Sequence, residues 1–187
     1  MGFRYVIRKA NPDDCGSILR LIKELAAFGG VQPDTAVQNT EQALLNDGFG
    51  NEACCHFLVV DAVENGGATD GTEQVSTVGY AVYFFTYSTW IGRLIYLEDL
   101  FLQPAHRGKG IGKALVCKVA KIGAEKGCKG MQWVVLESNE TARQFYALLN
   151  ASDMTAEEGW RLMGSRGDRF VKLANWVPKP ESNIQIL

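Results

Sequence analysis

From Leu97 to Lys113 the sequence reads Leu-Glu-Asp-Leu-Phe-Leu-Gln-Pro-Ala-His-Arg-Gly-Lys-Gly-Ile-Gly-Lys, a strand-like run that turns into a glycine-rich helix start. A junction of this kind can hold phosphate. The backbone N–H groups of a helix's first turn have no partner within the helix and lie at the positive end of its dipole, so an anion there accepts several hydrogen bonds. Glycines let the backbone approach it closely. A nucleotide P-loop places four residues between its glycines and then Lys-Ser/Thr, whereas Gly108 and Gly112 enclose three and Lys113 precedes Ala114. The dinucleotide pattern G-x-G-x-x-G also fails, because the third glycine of Gly108, Gly110 and Gly112 comes one residue early. A purely structural glycine turn is the alternative that spacing leaves standing. Metal chemistry is poorly supplied: Cys15, Cys54, Cys55, Cys117 and Cys128 form no CxxC pair, and His56 and His106 are the only histidines. The cysteines are read as free thiols in a reducing cytosol, and no metal is expected.

The elements that must position this loop follow from periodicity. Phe3 to Ile7 reads as an opening strand, and Asn11, Pro12 and two aspartates start a helix over 12–28 with Ile18, Leu19, Ile22, Leu25 and Ala26 on its apolar face. Gly29 and Gly30 stop it, and Thr40 caps a short helix over 41–46. Strands are expected at 56–62, 76–87 and 93–102, with a long polar hairpin loop over 64–74. A helix over 110–126 carries Ile111, Leu115, Val119 and Ile122 on one face, followed by a strand over 131–136 and a helix from Asn139 to Asn150. Two terminal strands, 158–164 and 169–174, precede a loose tail. The 187 residues, 47% of them apolar and 10% aromatic, suffice for one compact domain over 1–176 with a tail over 177–187. A formal charge of −2 argues against a basic surface for nucleic acid. No apolar run approaches the roughly 18 residues of a membrane span, so no membrane partner is expected and a cytoplasmic protein is.

Arg107-Gly108-Lys109-Gly110-Ile111-Gly112 resembles the R/Q-x-x-G-x-G/A pyrophosphate loop of the GNAT N-acetyltransferases, which bind acetyl-CoA. Arg-Leu-Ile-Lys-Glu-Leu-Ala (20–26), Asp-Gly-Phe-Gly (47–50), Tyr-Phe-Phe-Thr-Tyr (83–87), Trp-Ile-Gly (90–92), Tyr-Leu-Glu-Asp (96–99), Ala-Ser-Asp (151–153) and Glu-Glu-Gly-Trp-Arg-Leu (157–162) narrow the likeness. They are similar to the diamine acetyltransferases, the spermidine/spermine and thialysine enzymes, over residues 4–174. The resemblance implies an α/β fold with a mixed, twisted sheet whose two central parallel strands, here 93–102 and 131–136, splay apart to admit acetyl-CoA. It implies that the backbone of Leu100, Phe101 and Leu102 pairs with the pantetheine arm. The loop from Arg107 through Gly108, Lys109, Gly110, Ile111 and Gly112 to Lys113 would hold the pyrophosphate. Asn139, Glu140, Thr141 and Ala142 would touch the cofactor from the other side. A homodimer is implied as well.

An alkyl ammonium with a pKa near ~10.4 supplies about one neutral molecule in 10³ at pH 7, a cost of roughly 4 to 5 kcal/mol. A base must take that proton. Glu98 is the best placed candidate, ten residues before the glycine loop, and Asp99 beside it is expected on the opposite face of the strand. Tyr146 matches the family's tyrosine that protonates the departing thiolate, and Asn139, Ala142 and Tyr146 share one helical face by spacing. Substrate contacts are assigned to Phe28, Gly29, Trp90, Glu98, Asp99, Gln132, Trp133, Val134, Glu158 and Trp160. Phe28-Gly29 stands where the family has an aromatic-Glu pair, and Ser88-Thr89-Trp90 where it has Asp-Pro-Trp, so two carboxylates are missing and the pattern approaches the thialysine enzymes. The expected function is acetyl-CoA-dependent acetylation of a primary amine in a small diamine, polyamine or thialysine-like amino acid. A protein or peptide lysine acetyltransferase and a non-catalytic acyl-CoA-binding module are the rivals.

Overall fold

A computed structural model describes residues 2–64 and 73–177. Most of the loop expected over 64–74, and the tail beyond 177, lie outside the described residues. Strand β2 (His56–Glu64) is a β-branched run buried along its whole centre, as a strand flanked on both edges and covered on both faces must be. It pairs antiparallel with β1 (Phe3–Lys9) and with β3 (Gln74–Ser88). Strand β3 pairs antiparallel with β4 (Gly92–Leu102), and β5 (Met131–Gln132) joins β4 in parallel, giving the order β1-β2-β3-β4-β5. The result is the mixed sheet of an α/β fold that the family resemblance implies.

Helix α1 (Cys15–Phe28) starts where Asn11 and Asp14 cap each other's backbone: Asn11 Oδ1 accepts from Asp13 N at 2.9 Å and Asn11 N donates to Asp14 Oδ2 at 2.7 Å. Ile18 and Leu21 are fully buried, packed with Leu44 of a later helix over Phe57, Val59, Tyr80, Val82 and Phe101 of the sheet. A single turn, α2 (Pro33–Ala36), precedes α3 (Glu41–Phe49), which is capped by Thr40 through Ala43 N at 3.1 Å. Helix α4 (Ile111–Glu125) buries Ile111, Leu115 and Val119 as its periodicity predicts, and also Gly123. A side chain at Gly123 would meet Ile95 of β4 at 2.7 Å, so the glycine is what lets α4 approach the sheet.

One irregularity in β4 shapes everything beyond it. Leu97 pairs with Tyr83 and Asp99 pairs with the next residue back, Val82, so Glu98 is an extra residue in the ladder, a β-bulge. The parallel pairing with β5 stops just before it, at Ile95↔Met131 and Tyr96↔Gln132. The strand expected over 131–136 is therefore only Met131–Gln132: once the bulge bends β4 away, residues 133–136 have no ladder to join. That divergence is the splay between parallel strands.

The chain divides into two compact units, the second beginning at Glu140. The second unit contains α5 (Glu140–Ala147), α6 (Met154–Glu158) and α7 (Asp168–Ala174). Neither expected terminal strand is present. Asp153 caps α6 through Ala156 N at 3.1 Å and Gly159 closes it at φ 76°, which takes the start of 158–164 into a helix end. Residues 169–174 form α7, where Asp168 in the first turn and Lys172 in the last suit the two ends of the helix dipole. Among the described residues no helix is long and apolar enough to cross a membrane.

The start of α1 is locked to the sheet by Arg8. Its Nε donates to Asp61 Oδ2 at 2.7 Å, and its terminal nitrogens donate to Asp14 Oδ2 and Oδ1 at 2.7 and 2.9 Å. Both carboxylates are buried, and Thr77 Oγ1 donates to Asp61 as well. The Arg8 hydrogen bonds hold the Asp14 carboxyl below its ordinary range against the opposing effect of burial. Removing one partner leaves buried charge unpaired, so Arg8→Met is expected to cost about 3 kcal/mol in urea unfolding at pH 7. A carboxyl depressed in the folded state stabilises above its unfolded pKa and loses that contribution as pH falls through the folded one. The gap between parent and variant should therefore shrink below about pH 4. A gap independent of pH would show that the Arg8–Asp14 pair does not carry it.

Candidate active site

The bulge decides where the two carboxylates of β4 point. In regular alternation Glu98 and Asp99 would face opposite sides; with Glu98 as the extra residue, Asp99 stays in register with Val82 and both line one cavity. This corrects the expectation that Asp99 faces away. The cavity, of about 500 Å³, is walled by Phe57, Val82, Phe84, Ile22 and Leu44, with Asn39, Asp47, Cys54 and Cys55 completing its lining. Among the described lining residues three carry carboxylates and none is Lys, Arg or His.

Asp99 is half-buried, and burial raises its carboxyl above the ordinary range. The hydroxyl of Tyr80, fully buried in the core, donates to Asp99 Oδ2 at 3.1 Å and opposes that rise by stabilising the anion. Asp47 lines the cavity too, although the sequence pattern assigns it no role. It sits in the last turn of α3, where a carboxylate opposes the helix dipole, and that local misfit is the signal that could have marked it. Its carbonyl accepts from the amides of Cys54 and Cys55 at 2.8 and 3.2 Å, fixing the turn that brings both cysteines to the cavity. Burial pushes the Cys55 thiol up to about 12, so it is held protonated.

Beyond the carboxylates β4 ends at Leu102, with Phe101 buried in the core, and the chain turns into α4. Gly108 and Gly110 have φ of 76° and 79°, a conformation that side chains rarely adopt, and a Cβ on either would project into open space beside the loop. Gly110 is the N-cap of α4 and has no side chain to cap it, so the first-turn amides of Ile111, Gly112 and Lys113 are left for an outside acceptor. This is a cradle that fits a pyrophosphate. Lys109 turns its ammonium away, donating to Tyr5 Oη at 2.9 Å, so its share in the cradle is its backbone. Tyr5 Oη also lies 3.0 Å from His106 Nδ1, and partial burial first, with Lys109 second, lowers the pKa of that imidazole. Arg107 Nε donates to Leu102 O at 2.8 Å, and its guanidinium packs on the ring of Phe28.

The remaining predicted residues are distributed as follows. Phe28, whose ring packs on Arg107, and Gly29, which ends α1, are not among the residues lining the carboxylate cavity. Trp90 stands 78% exposed in the β3–β4 turn, where its amide donates to Ser88 Oγ at 3.2 Å, and it does not line the cavity either. Gln132 pairs with Tyr96 in the sheet, and Trp133 and Val134 follow it where the strands diverge. In the second unit Glu140, Thr141 and Ala142 form the first turn of α5, after Asn139, and Tyr146 lies in its last turn with its ring centre 5.1 Å from that of Phe145. Trp160 Nε1 donates to Glu158 Oε2 at 2.8 Å. The open depression of that unit, lined by Leu162, Met163, Gly164, Arg166, Asp168 and Arg169, carries two cations to one anion and does not suit an ammonium.

Comparison with known proteins identifies the family and the fold. Residues 18–150 match the model of the acetyltransferase (GNAT) family. Thialysine N-epsilon-acetyltransferase of Bos taurus is 41% identical, over 90% of this chain and 96% of that protein. Spermidine/spermine N(1)-acetyltransferase-like protein 1 of Homo sapiens is 34% identical over 91% of this chain, which spans 24% of that longer protein. Among solved structures, an integron cassette protein from the mobile metagenome of V. cholerae superposes with a TM-score of 0.69 at 25% identity, covering 94% of this chain and all (100%) of that one. An aminoglycoside N-acetyltransferase in complex with CoA gives 0.62 at 20% identity, over 89% of this chain and 97% of that chain, a likeness of fold.

Replacing Tyr80 by Phe removes the one hydroxyl that steadies the Asp99 anion and leaves the ring in place. The Asp99 carboxyl, already raised by burial, should then titrate at a higher pH, read by carbon-detected NMR of its side chain. An unchanged midpoint would mean that the Tyr80 hydrogen bond does not tune this carboxylate.

Proposed function

The chain belongs to the acetyltransferase (GNAT) family and is an N-acetyltransferase, and from that premise we propose that it transfers the acetyl group of acetyl-CoA directly to a primary amine of a small diamine, polyamine or thialysine-like amino acid. The observation that carries the reading is β4 itself. Within a dozen residues it delivers Glu98 and Asp99 to an anionic, apolar-walled cavity and then opens into the glycine cradle of α4. Acetyl-CoA, when bound, supplies the activated acetyl group; the protein supplies orientation and proton management.

The residues divide that work. Amides from Gly108 to Lys113 take the pyrophosphate, and the edge of β4 from Leu100 to Leu102, which β5 does not cover, is open to pairing with the pantetheine arm. A cavity lined by carboxylates attracts an ammonium and holds it, but acetylation needs the neutral amine, so one carboxylate must accept a proton. Glu98 takes that role, directly or through a water, while Asp99, tied to Tyr80, holds charge in place. Tyr146 is assigned the acid role by its match to the family's tyrosine. Because the relatives act on thialysine and polyamines by name, the amine class is carried over from them, with a homodimer in the cytosol as the assembly that the resemblance supports.

Glu98→Gln should lower kcat/KM most at neutral pH and recover in part as rising pH supplies free amine, with CoA affinity unchanged by calorimetry. A pH profile parallel to the parent's would remove Glu98 from the base role.

Substrate length gives a second test. Gly29 and Ser88 stand where the polyamine pattern places carboxylates, and Ser88 Oγ is occupied in accepting from the amides of Trp90 and Ile91 at 3.2 and 3.4 Å. Two lost ion pairs cost a polycation about ten-fold in relative kcat/KM. In a thiol-release panel of short diamines, thialysine, lysine, spermidine, spermine and a lysine peptide, a short amine should lead. A lead for spermine would overturn the specificity reading, and a lead for the peptide would overturn the small-amine assignment.

A further inference from the structure

Phe28, the last residue of α1, meets the cofactor loop. The residue is 55% exposed, and the guanidinium carbon of Arg107 lies 4.4 Å from its ring centre and 5.5 Å from that of the buried Phe101. Both distances are within cation–π range. The turn after Phe28 is fixed by Gly29 N donating to Leu25 O at 2.9 Å and by Gly30 at φ 76°, so the ring is presented by a helix end anchored in the core. Arg107 Nε is used by Leu102 O. Its two terminal nitrogens make no hydrogen bond among the described residues. A guanidinium pinned by rings and one carbonyl, with its outer fork open, is pre-organised for bidentate contact with a phosphate.

We propose that Phe28 is a positioning residue for the cofactor: its ring holds the Arg107 guanidinium so that the outer nitrogens meet the pyrophosphate of acetyl-CoA. This rests on the assignment of acetyl-CoA to the loop from Arg107 to Lys113. It moves Phe28 out of amine recognition, the role that its place beside Gly29 suggested, and makes α1 a strut between the core and the phosphate cradle.

The test is calorimetry of CoA with the parent, Phe28→Ala, Phe28→Leu, Phe28→Tyr, Arg107→Ala and the double variant Phe28→Ala/Arg107→Ala. Phe28→Ala should raise the CoA Kd about five-fold and Phe28→Tyr should restore it, because the π face is what acts. Phe28→Leu keeps apolar bulk and should match Phe28→Ala, which separates lost packing from lost positioning. With Arg107 already absent, Phe28→Ala should add no further loss. The KM for the amine should stay within two-fold. The inference is overturned if Phe28→Ala raises the amine KM while leaving the CoA Kd unchanged, if Phe28→Leu binds CoA as the parent does, or if the loss persists without Arg107. Gly110→Val serves as the control on the underlying assignment: it should abolish CoA binding in a folded protein. Unchanged affinity there would overturn the cofactor site and this inference with it, whereas loss in Gly110→Val with none in Phe28→Ala overturns this inference alone.

Discussion

An extra residue in one strand sets the terms for the rest of the molecule. Had β4 run in register with β3 from end to end, Glu98 and Asp99 would lie on opposite faces and one of them would sit under α4. The bulge at Glu98 puts both on the α1 side, over Val82 and Phe84, and turns the strand away from β5. Three consequences share that cause: an anionic cavity, a free strand edge beside it, and a strand end aimed into the start of α4. The bulge is held in place by the ladder on both sides, Gly92–Leu97 before it and Asp99–Leu102 after it.

In the proposed reaction the two halves of the site meet opposite electrostatic demands. One must attract a cation and then take a proton from it, which calls for carboxylates in a partly dry setting; the other must hold a multiply charged anion, which calls for amides and fixed cations. Placing them in succession along β4 keeps the carboxylates away from the phosphate cradle without a separate domain. The buried Tyr80–Asp99 contact and the Arg107–Phe28 contact do comparable work on the two sides, each restricting a charged group to one orientation. Arg8, with Asp14 and Asp61, anchors the start of the helix that ends in Phe28.

Much of this was legible from residue pattern alone. The β-branched runs placed β2, β3 and β4 to within a few residues, the capping residues Asn11 and Thr40 do cap, and Ile111, Leu115 and Val119 are the buried face of α4. The glycine spacing pointed to the loop over 108–112, where Gly108 and Gly110 have positive φ and the start of α4 has no side-chain cap. Alternation could not show the bulge, because a one-residue slip leaves composition and period almost unchanged while reversing a face. For the same reason the strand over 131–136 looked continuous when its partner leaves it after Gln132. Residues 169–174 mix apolar and charged side chains in a way that satisfies either period, and the charges at the two ends of α7 decide for the helix. Cys54 and Cys55 come to the cavity through a turn held by the Asp47 carbonyl, a tertiary arrangement with no local signature, whereas Asp47 is marked only by its misfit with the helix dipole.

In the proposed function one strand, β4, supplies both the amine cavity and the approach to the phosphate cradle. A crystal structure of the protein with a covalent CoA–diamine bisubstrate adduct tests this in a single measurement. The pyrophosphate oxygens should accept from the amides between Gly108 and Lys113, the pantetheine arm should lie along Leu100 to Leu102, and the amine nitrogen should stand beside Glu98 within the cavity that Asp47 and Asp99 share. A pyrophosphate bound away from the glycine loop, or an amine held outside that cavity, would contradict it.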